Sequence, residues 1–376
     1  LAPWNYLVRN AGKTAPLVGV IVLAVLLIAG IVSMMNSIPL SIKTIYSYSR
    51  YSLGITPRGD PSMTPAIRAI IEREAPVPIE RIAVCRASSA EVRSIVGKWP
   101  FVVIGLEADA LRYVLRRLGG ERLEGRLPVA GKPEAVISEP VARNLNLRIG
   151  DELLGPEQDE AYSPQSVRVV GIAQTDQWTM LSSYEYYAAN HLPPVDLLMV
   201  FARDLRDQER LDRWATERFK GERAQIFAYH ELEKSTDEMF DILYKILNVV
   251  IGTLVLVITL MMGMLMNIYL SQRTQEFGLL QALGYTKRRL LRRVFGETLI
   301  VVVGGWLLGL AAAVGLLHVV DAALMHPQAF ALDTLDRTAL LYTAPVPIAI
   351  FATAWLTVRL RFQRFDPVGV VERRLV

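Results

Sequence analysis

The sequence predicts an α-helical membrane protein: four transmembrane helices in a 1+3 arrangement around an inserted α+β extracytoplasmic domain. Three observations lead there. Residues 17–36 (LVGVIVLAVLLIAGIVSMMN) carry no charge, and three further apolar runs crowd toward the C-terminus at 246–270, 298–320 and 340–358. Between the first run and the others lies a long stretch with the mixed patterning of a water-soluble domain. Lys and Arg also fall at alternate ends of the apolar runs, as they do in proteins that thread a bilayer.

The 376-residue chain is 52% hydrophobic yet 21% charged, with a mean hydropathy of +0.29, an average that mixes lipid-facing and water-facing parts. Its net charge is +4. Nucleic acid is not the indicated partner, because the basic residues cluster beside the apolar runs, where cytoplasmic flanks need them. A single cysteine, Cys85, excludes an intrachain disulfide and a multi-thiolate metal site. It sits in the alternating run RIAVCR (81–86) and reads as a small buried hydrophobe.

Residues 1–16 form a cytoplasmic amphipathic segment before the first span, 17–36. At ~1.5 Å per residue this span matches a hydrocarbon core of ~30 Å. It is longer than a signal h-region and lacks a small-residue cleavage pattern, so it reads as a retained helix. Residues 37–236 alternate β-like runs (101–106, 134–137, 167–172) with helical charged segments (108–118, 204–219). Turn signals separate them: Pro57-Arg-Gly-Asp-Pro61, Gly119-Gly120 and Pro193-Pro194. A polar preface, with Asp241 four residues before Lys245, extends the second span outward as a stalk, so that 237–270 is one element. A loop follows at 271–297, then the third span (298–320), an outer loop (321–339), the fourth span (340–358) and a tail (359–376).

Arg9 and Lys13 precede the first span. Arg273, Lys287, Arg288, Arg289, Arg292 and Arg293 lie between the second and third, and Arg359, Arg361, Arg364, Arg373 and Arg374 follow the fourth. The 321–339 connection has Asp321, Asp333 and Asp336 against Arg337 alone. Both termini and the 271–297 loop are therefore expected in the cytoplasm of a multi-pass protein of the cell (inner) membrane.

The loop carries more than charge. Its centre reads EFGLLQALG (276–284), with Phe277, Leu280 and Leu283 on one stripe of a short helix and Gly284 at the C-cap position. Tyr285-Thr286 then opens a second helix whose first turns hold the basic cluster. Such an element suits docking to a cytoplasmic partner. A loop that only sets topology would have no use for the ordered pattern.

This loop resembles the coupling segment of FtsX-like, MacB-type permeases, the four-span family of ABC transporter subunits. Other stretches share the resemblance. WNYLVRN (4–10) is similar to the family's amphipathic N-terminal helix. EAVISEPVARNLNLRIGD (134–151) followed by VRVVGI (167–172) is similar to its extracytoplasmic core. Glu297 with Gly305 and Gly309 resembles its third-span opening, and Asp366-Pro367 with Val370 its C-terminal tail.

The resemblance implies a permease that works as one of a pair, either a homodimer or a heterodimer with a paralogue. Two copies of a separate ATPase would bind ATP and Mg and engage Glu276, Phe277, Gly278, Leu280, Leu283 and Gly284. Their closure would move the spans, and mechanotransmission would carry that work to the outer domains for export or extraction of a substrate, with a periplasmic adaptor as a further partner. The alternative within the family is a signalling scaffold that activates an extracytoplasmic enzyme such as a cell-wall hydrolase. The size of the outer domain favours cargo handling.

The residues give no enzymatic reading. Gly12-Lys13-Thr14 lacks the upstream Gly and strand of a phosphate-binding loop, so no ATPase site and no bound cofactor are expected in this sequence. His191, His230, His318 and His326 have no metal-ligand spacing. A soft-ligand site at the outer end of the third span would have to use His318, His326 and Met325. Gly305-x-x-x-Gly309 reads as a helix-packing face or a dimer seam. Trp178, Met180, Tyr184, Tyr186 and Tyr187 read as a substrate or partner surface, or else as a partly buried loop.

Overall fold

A computed structural model describes residues 11–158, 161–190, 195–330 and 332–363. Residues 1–10 of the N-terminal amphipathic segment, His191, Pro193-Pro194 and most of the C-terminal tail lie outside these residues. The chain divides into two compact units: 1–36, 242–321 and 332–376 form one, and 37–241 with 322–331 the other.

Four helices among the described residues are long and apolar enough to cross a membrane. The first is α1 (Ala11–Ile45), in which Gly12 and Thr14 are ordinary helical residues rather than part of a phosphate loop.

The second unit is built on a ten-stranded mixed sheet. Its strands are β1 (Leu53–Pro57), β2 (Ile79–Ser94), β3 (Gly97–Leu106), β4 (Leu123–Gly125), β5 (Glu134–Ser138), β6 (Glu152–Leu154), β7 (Val167–Ala173), β8 (Met180–Ser183), β9 (Leu197–Ala202) and β10 (Ala224–Phe227). They run in the order β10-β1-β9-β2-β3-β8-β5-β7-β4, with β6 beside β7. Strand β9 (LLMVFA) shows why the sheet must be covered on both faces. Leu198, Val200 and Ala202 face one way and Met199 and Phe201 the other, and all five are buried.

On one face lie α2 (Thr64–Glu74) and, later in the chain, α6 (Leu205–Arg218), which supply Ile67, Ile71, Leu211 and Ala215. On the other lies α3 (Ala108–Arg117), where Ala110, Leu111, Val114 and Leu115 form one apolar stripe over Cys85, Ile104 and Leu106. Cys85 is the buried small side chain that its alternating context predicts, and burial pushes its thiol up to about 12. Helix α4 (Glu139–Leu145) ends at Asn146 in the left-handed conformation. The following GD turn is held by Gly150 N–H on the Val169 carbonyl (2.7 Å) and by Asp151, which accepts from Arg148 N–H (2.8 Å).

The aromatic run is not a ligand surface. Trp178, Met180, Tyr186 and Tyr187 are buried, because β8 is paired on both sides, with β3 and β5, and α5 (Tyr184–Ala189) packs back on the sheet. Nor is it a loop. Trp178 stacks on Phe330 (5.4 Å between centroids), so part of the 321–339 connection belongs to this unit's core. Tyr184 is half-buried and donates to Asp196 (3.0 Å), which also pairs with Arg86 (2.7 Å).

In the membrane-type unit, α7 (Tyr229–Gln272) supplies the second span, and α8 (Thr274–Ala282) is a short separate helix. Helix α9 (Lys287–Val320) supplies the third span. The fourth is shared by α10 (Arg337–Thr343) and α11 (Pro345–Gln363), broken where Pro345 withdraws an N–H. Asp336 caps α10 by accepting from Thr338 N–H (2.8 Å), and Asn36 at the end of the first span donates to the same carboxylate (2.5 Å). Leu17, Ile21, Ala24, Val25, Ile28 and Val32 recur every three or four residues and pack with Val301, Val302, Ile350, Ala354 and Val358. Large apolar residues on α7, such as Val249 and Met264, point outward at 69% exposure, which lipid tolerates and water does not.

Gly305 and Gly309 pack against the first span of the same chain. A Cβ at Gly305 would lie 3.1 Å from Ile21, and one at Gly309 only 2.8 Å from Val25 Cβ. Gly309→Val is therefore expected to destabilise the span pair by about 1–3 kcal/mol through overpacking. Gly304→Ala, where nothing lies within 4 Å, should leave the melting temperature of the detergent-solubilised chain unchanged. Equal melting of the two variants would contradict this packing.

Candidate functional site

The site is built where α7 stops. Arg273 leaves helical geometry (φ −101, ψ 4) and so turns the chain into α8. Its side chain is almost wholly buried, at 2% exposure. A buried guanidinium needs partners for its charge and its donors. Nη1 donates to Glu297 Oε2 (2.5 Å) and to the Tyr269 hydroxyl (2.8 Å), and Nε donates to Glu276 Oε2 (3.1 Å). The guanidinium also lies over the rings of Phe277 (5.1 Å) and Tyr269 (5.2 Å). Glu297, equally buried, takes a second bond from Arg293 Nε (3.2 Å), one turn earlier on α9. Two guanidinium groups and two carboxylates thus balance, and they tie the start of α8 to the first turns of α9.

The far end of α8 is fixed by backbone. Gly284 has φ +89 and donates to the Gln281 carbonyl (2.9 Å), and Tyr285 N–H donates to that of Leu280 (3.1 Å). These two bonds make a Schellman cap, which requires the left-handed residue that the sequence supplies. Thr286 then precedes α9 in extended conformation.

Clamped at both ends, α8 divides its residues. Phe277 and Gly278 are buried and Leu280 is packed against the unit's core. Leu279 and Leu283 are exposed at 66% and 70%, and Glu276, Ala282 and Gly284 are exposed beside them. The stripe expected to meet a partner through Phe277 and Leu280 is thus an internal anchor. Phe277 is spent on the guanidinium of Arg273 and on the core. Of the expected docking residues, Glu276, Leu283 and Gly284 face out, and Leu279 joins them. Beyond the cap come exposed Tyr285, Lys287, Arg288, Arg289 and Arg292, with Arg289 lying 5.8 Å above the Tyr285 ring. The site therefore offers two leucines beside a strip of positive charge.

Arg273 and Glu297 are the residues that sequence reasoning undervalued. Arg273 passed for a topology charge and Glu297 for a feature of a span opening. The signal was present in an aromatic four residues before Arg273, an acid three after it, and a lone carboxylate opening an apolar span. Elsewhere, His318 Nδ1 is bonded back to the Val314 carbonyl (2.8 Å), and no group of three His, Cys, Asp or Glu that could hold a metal occurs among the described residues.

A family model for the MacB-like periplasmic core domain matches residues 17–217, and one for the FtsX-like permease C-terminal region matches residues 248–364. Among solved structures, the periplasmic region of MacB from Actinobacillus actinomycetemcomitans is similar at 12% identity and a TM-score of 0.29, covering 50% of this chain and 92% of that one. The extracellular domain of the noncanonic ABC-type transporter YknZ from Gram-positive bacteria is similar at 13% identity and a TM-score of 0.26, covering 47% and 98%. No curated protein sequence matches the chain. The two family matches together cover the chain from the first span to the end of the fourth except for residues 218–247, and the chain belongs to the FtsX-like, MacB-type family of ABC transporter permeases.

Proposed function

We propose that the chain is a permease subunit moved by a separate ATP-hydrolysing subunit, which docks on the outward side of α8. The observation that carries this reading is the contrast within α8: Leu279 and Leu283 stand in solvent on a helix held rigid by the buried Arg273–Glu297 pair and the Gly284 cap. Exposed leucines on a fixed helix end fit a partner's apolar groove, and the nearby basic strip selects a partner with acidic groups around it. Because Arg273 bonds directly to Glu297, a push on α8 is delivered to α9 through a short, nearly incompressible link rather than a flexible loop.

In this reading two such ATPase subunits serve a pair of permeases and carry the ATP and Mg. Both termini and α8 are cytoplasmic, and residues 37–241 work outside the cell membrane on a substrate to be exported or extracted. The test is biochemical. The chain purified with its associated subunits should hydrolyse ATP, and the chain stripped of them should hydrolyse none. Turnover that stays with the isolated chain would defeat the proposal.

A further inference from the structure

The inserted unit holds a second site that the permease reading leaves unused. Beneath the segment 46–52 lies a cavity of about 300 Å³. It is at the lower end of the size range of small-molecule sites, ~300–1,000 Å³. It exists because the sheet residues that floor it are small. Gly54, Cys85 and Ala87 present almost no side chain where their neighbours on the same face, Ile104 and Met199, are large. Tyr48, edge-on to Phe101 (5.7 Å), and Leu232 from the first turns of α7 close the walls.

Two of the polar side chains at its edge are already occupied. The Tyr46 hydroxyl accepts from Trp99 Nε1 (2.8 Å), and Ser49 Oγ donates to the Tyr46 carbonyl (2.7 Å). The rest of the lining is mostly apolar, which gives water few partners and favours hydrocarbon.

A charge adjoins the segments that line it. Arg50, between the lining residues Ser49 and Ser52, is exposed and donates to the Tyr229 hydroxyl (2.5 Å) with its guanidinium 4.1 Å above that ring. Tyr229 in turn lies between the lining residues Phe227 and Leu232. Among the described residues no carboxylate stands within ion-pair distance of Arg50, whose contacts are with Tyr229. The guanidinium bridging the two wall-forming segments thus keeps its charge for a ligand.

We propose that this cavity binds a fatty-acid anion, its single hydrocarbon chain lying on Gly54, Cys85 and Ala87 and its carboxylate meeting Arg50. The volume suits one chain of medium length and excludes a two-chain lipid. The proposal does not depend on docking at α8.

The test uses the full chain in nanodiscs of saturated zwitterionic phospholipid, with a fatty acid carrying a photoreactive group at the chain end and peptide mapping of the adducts. Adducts are expected on the peptides holding Tyr48 and Ala87, displaced by laurate and not by dodecyltrimethylammonium. Arg50→Glu, with its melting temperature checked against the parent, should lower cavity labelling by at least about tenfold, the worth of a charge-assisted hydrogen bond. Ala87→Phe should fill the floor and abolish cavity labelling while adducts on the spans persist. Adducts confined to the spans, unchanged cavity labelling in Arg50→Glu, or equal displacement by the cationic amphiphile would each overturn the proposal.

Discussion

Arg273→Ala is expected to be the most damaging single change in the membrane-type unit. It removes the Tyr269 and Glu276 bonds and leaves the buried Glu297 carboxylate, among the described residues, with only Arg293 (3.2 Å) beside it. Removing one partner of a buried ion pair typically costs ~3–5 kcal/mol, because the other charge stays desolvated. Folded yield and melting temperature should both fall, and proteolysis should open the chain between α8 and α9. Arg288→Ala, which removes an exposed charge from the same basic cluster, should change none of these. The double variant Arg273→Leu/Glu297→Leu separates charge burial from simple loss of contact. An apolar pair of similar volume often replaces a buried salt bridge at little cost, so most of the stability should return while the rigid link is altered. A double variant as unstable as the single one would argue that these residues matter for shape rather than for charge.

The second large effect is expected on the outward side of α8. Leu279→Asp and Leu283→Asp place charge where an apolar contact is proposed. Truncating one such anchor typically costs ~2 kcal/mol, a loss of affinity of roughly thirtyfold, and a buried charge should cost no less. Association with the ATP-hydrolysing subunit, measured by titration of the two purified components, should fall by at least that factor. The melting temperature of the chain alone should stay fixed, because both residues are exposed. Phe277→Ala should behave in the opposite way. It empties a core position and strips the face of Arg273, at a typical cost of ~3–5 kcal/mol to the chain's own stability. Weak association in that variant would follow from a damaged chain rather than a lost contact.

These contrasts also show what the residues disclosed before any coordinates. The four apolar runs were legible because lipid demands long uncharged helices, and the strand and helix segments of the inserted unit because burial imposes a period of two or of nearly four. The cap at Gly284 was legible because a left-handed residue is needed there and glycine takes it without strain. Pairing over long sequence distances was not legible. Arg273 finds Glu297 only when α8 folds back against α9, so its charge looked like a topology signal. The aromatics from Trp178 to Tyr187 could be read as a surface or as a partly buried loop, because nothing nearby in sequence says that β8 lies between β3 and β5. The facing of α8 was misjudged for a related reason. Apolar residues at 277, 279, 280 and 283 cover more than one side of a short helix, and only the clamp at Arg273 decides which side turns inward.

Site-specific crosslinking along α8 tests most directly whether this helix is where ATP-driven motion enters the chain. A photoreactive phenylalanine analogue is placed singly at Leu283, Leu279 and Phe277 in the assembled complex, which is irradiated and analysed for adducts with the ATP-hydrolysing subunit. The account predicts strong adducts from positions 283 and 279 and only intrachain adducts from 277, whose side chain lies in the core. Adducts from 277 with none from 283 would contradict it, placing the partner on the face assigned here to the interior.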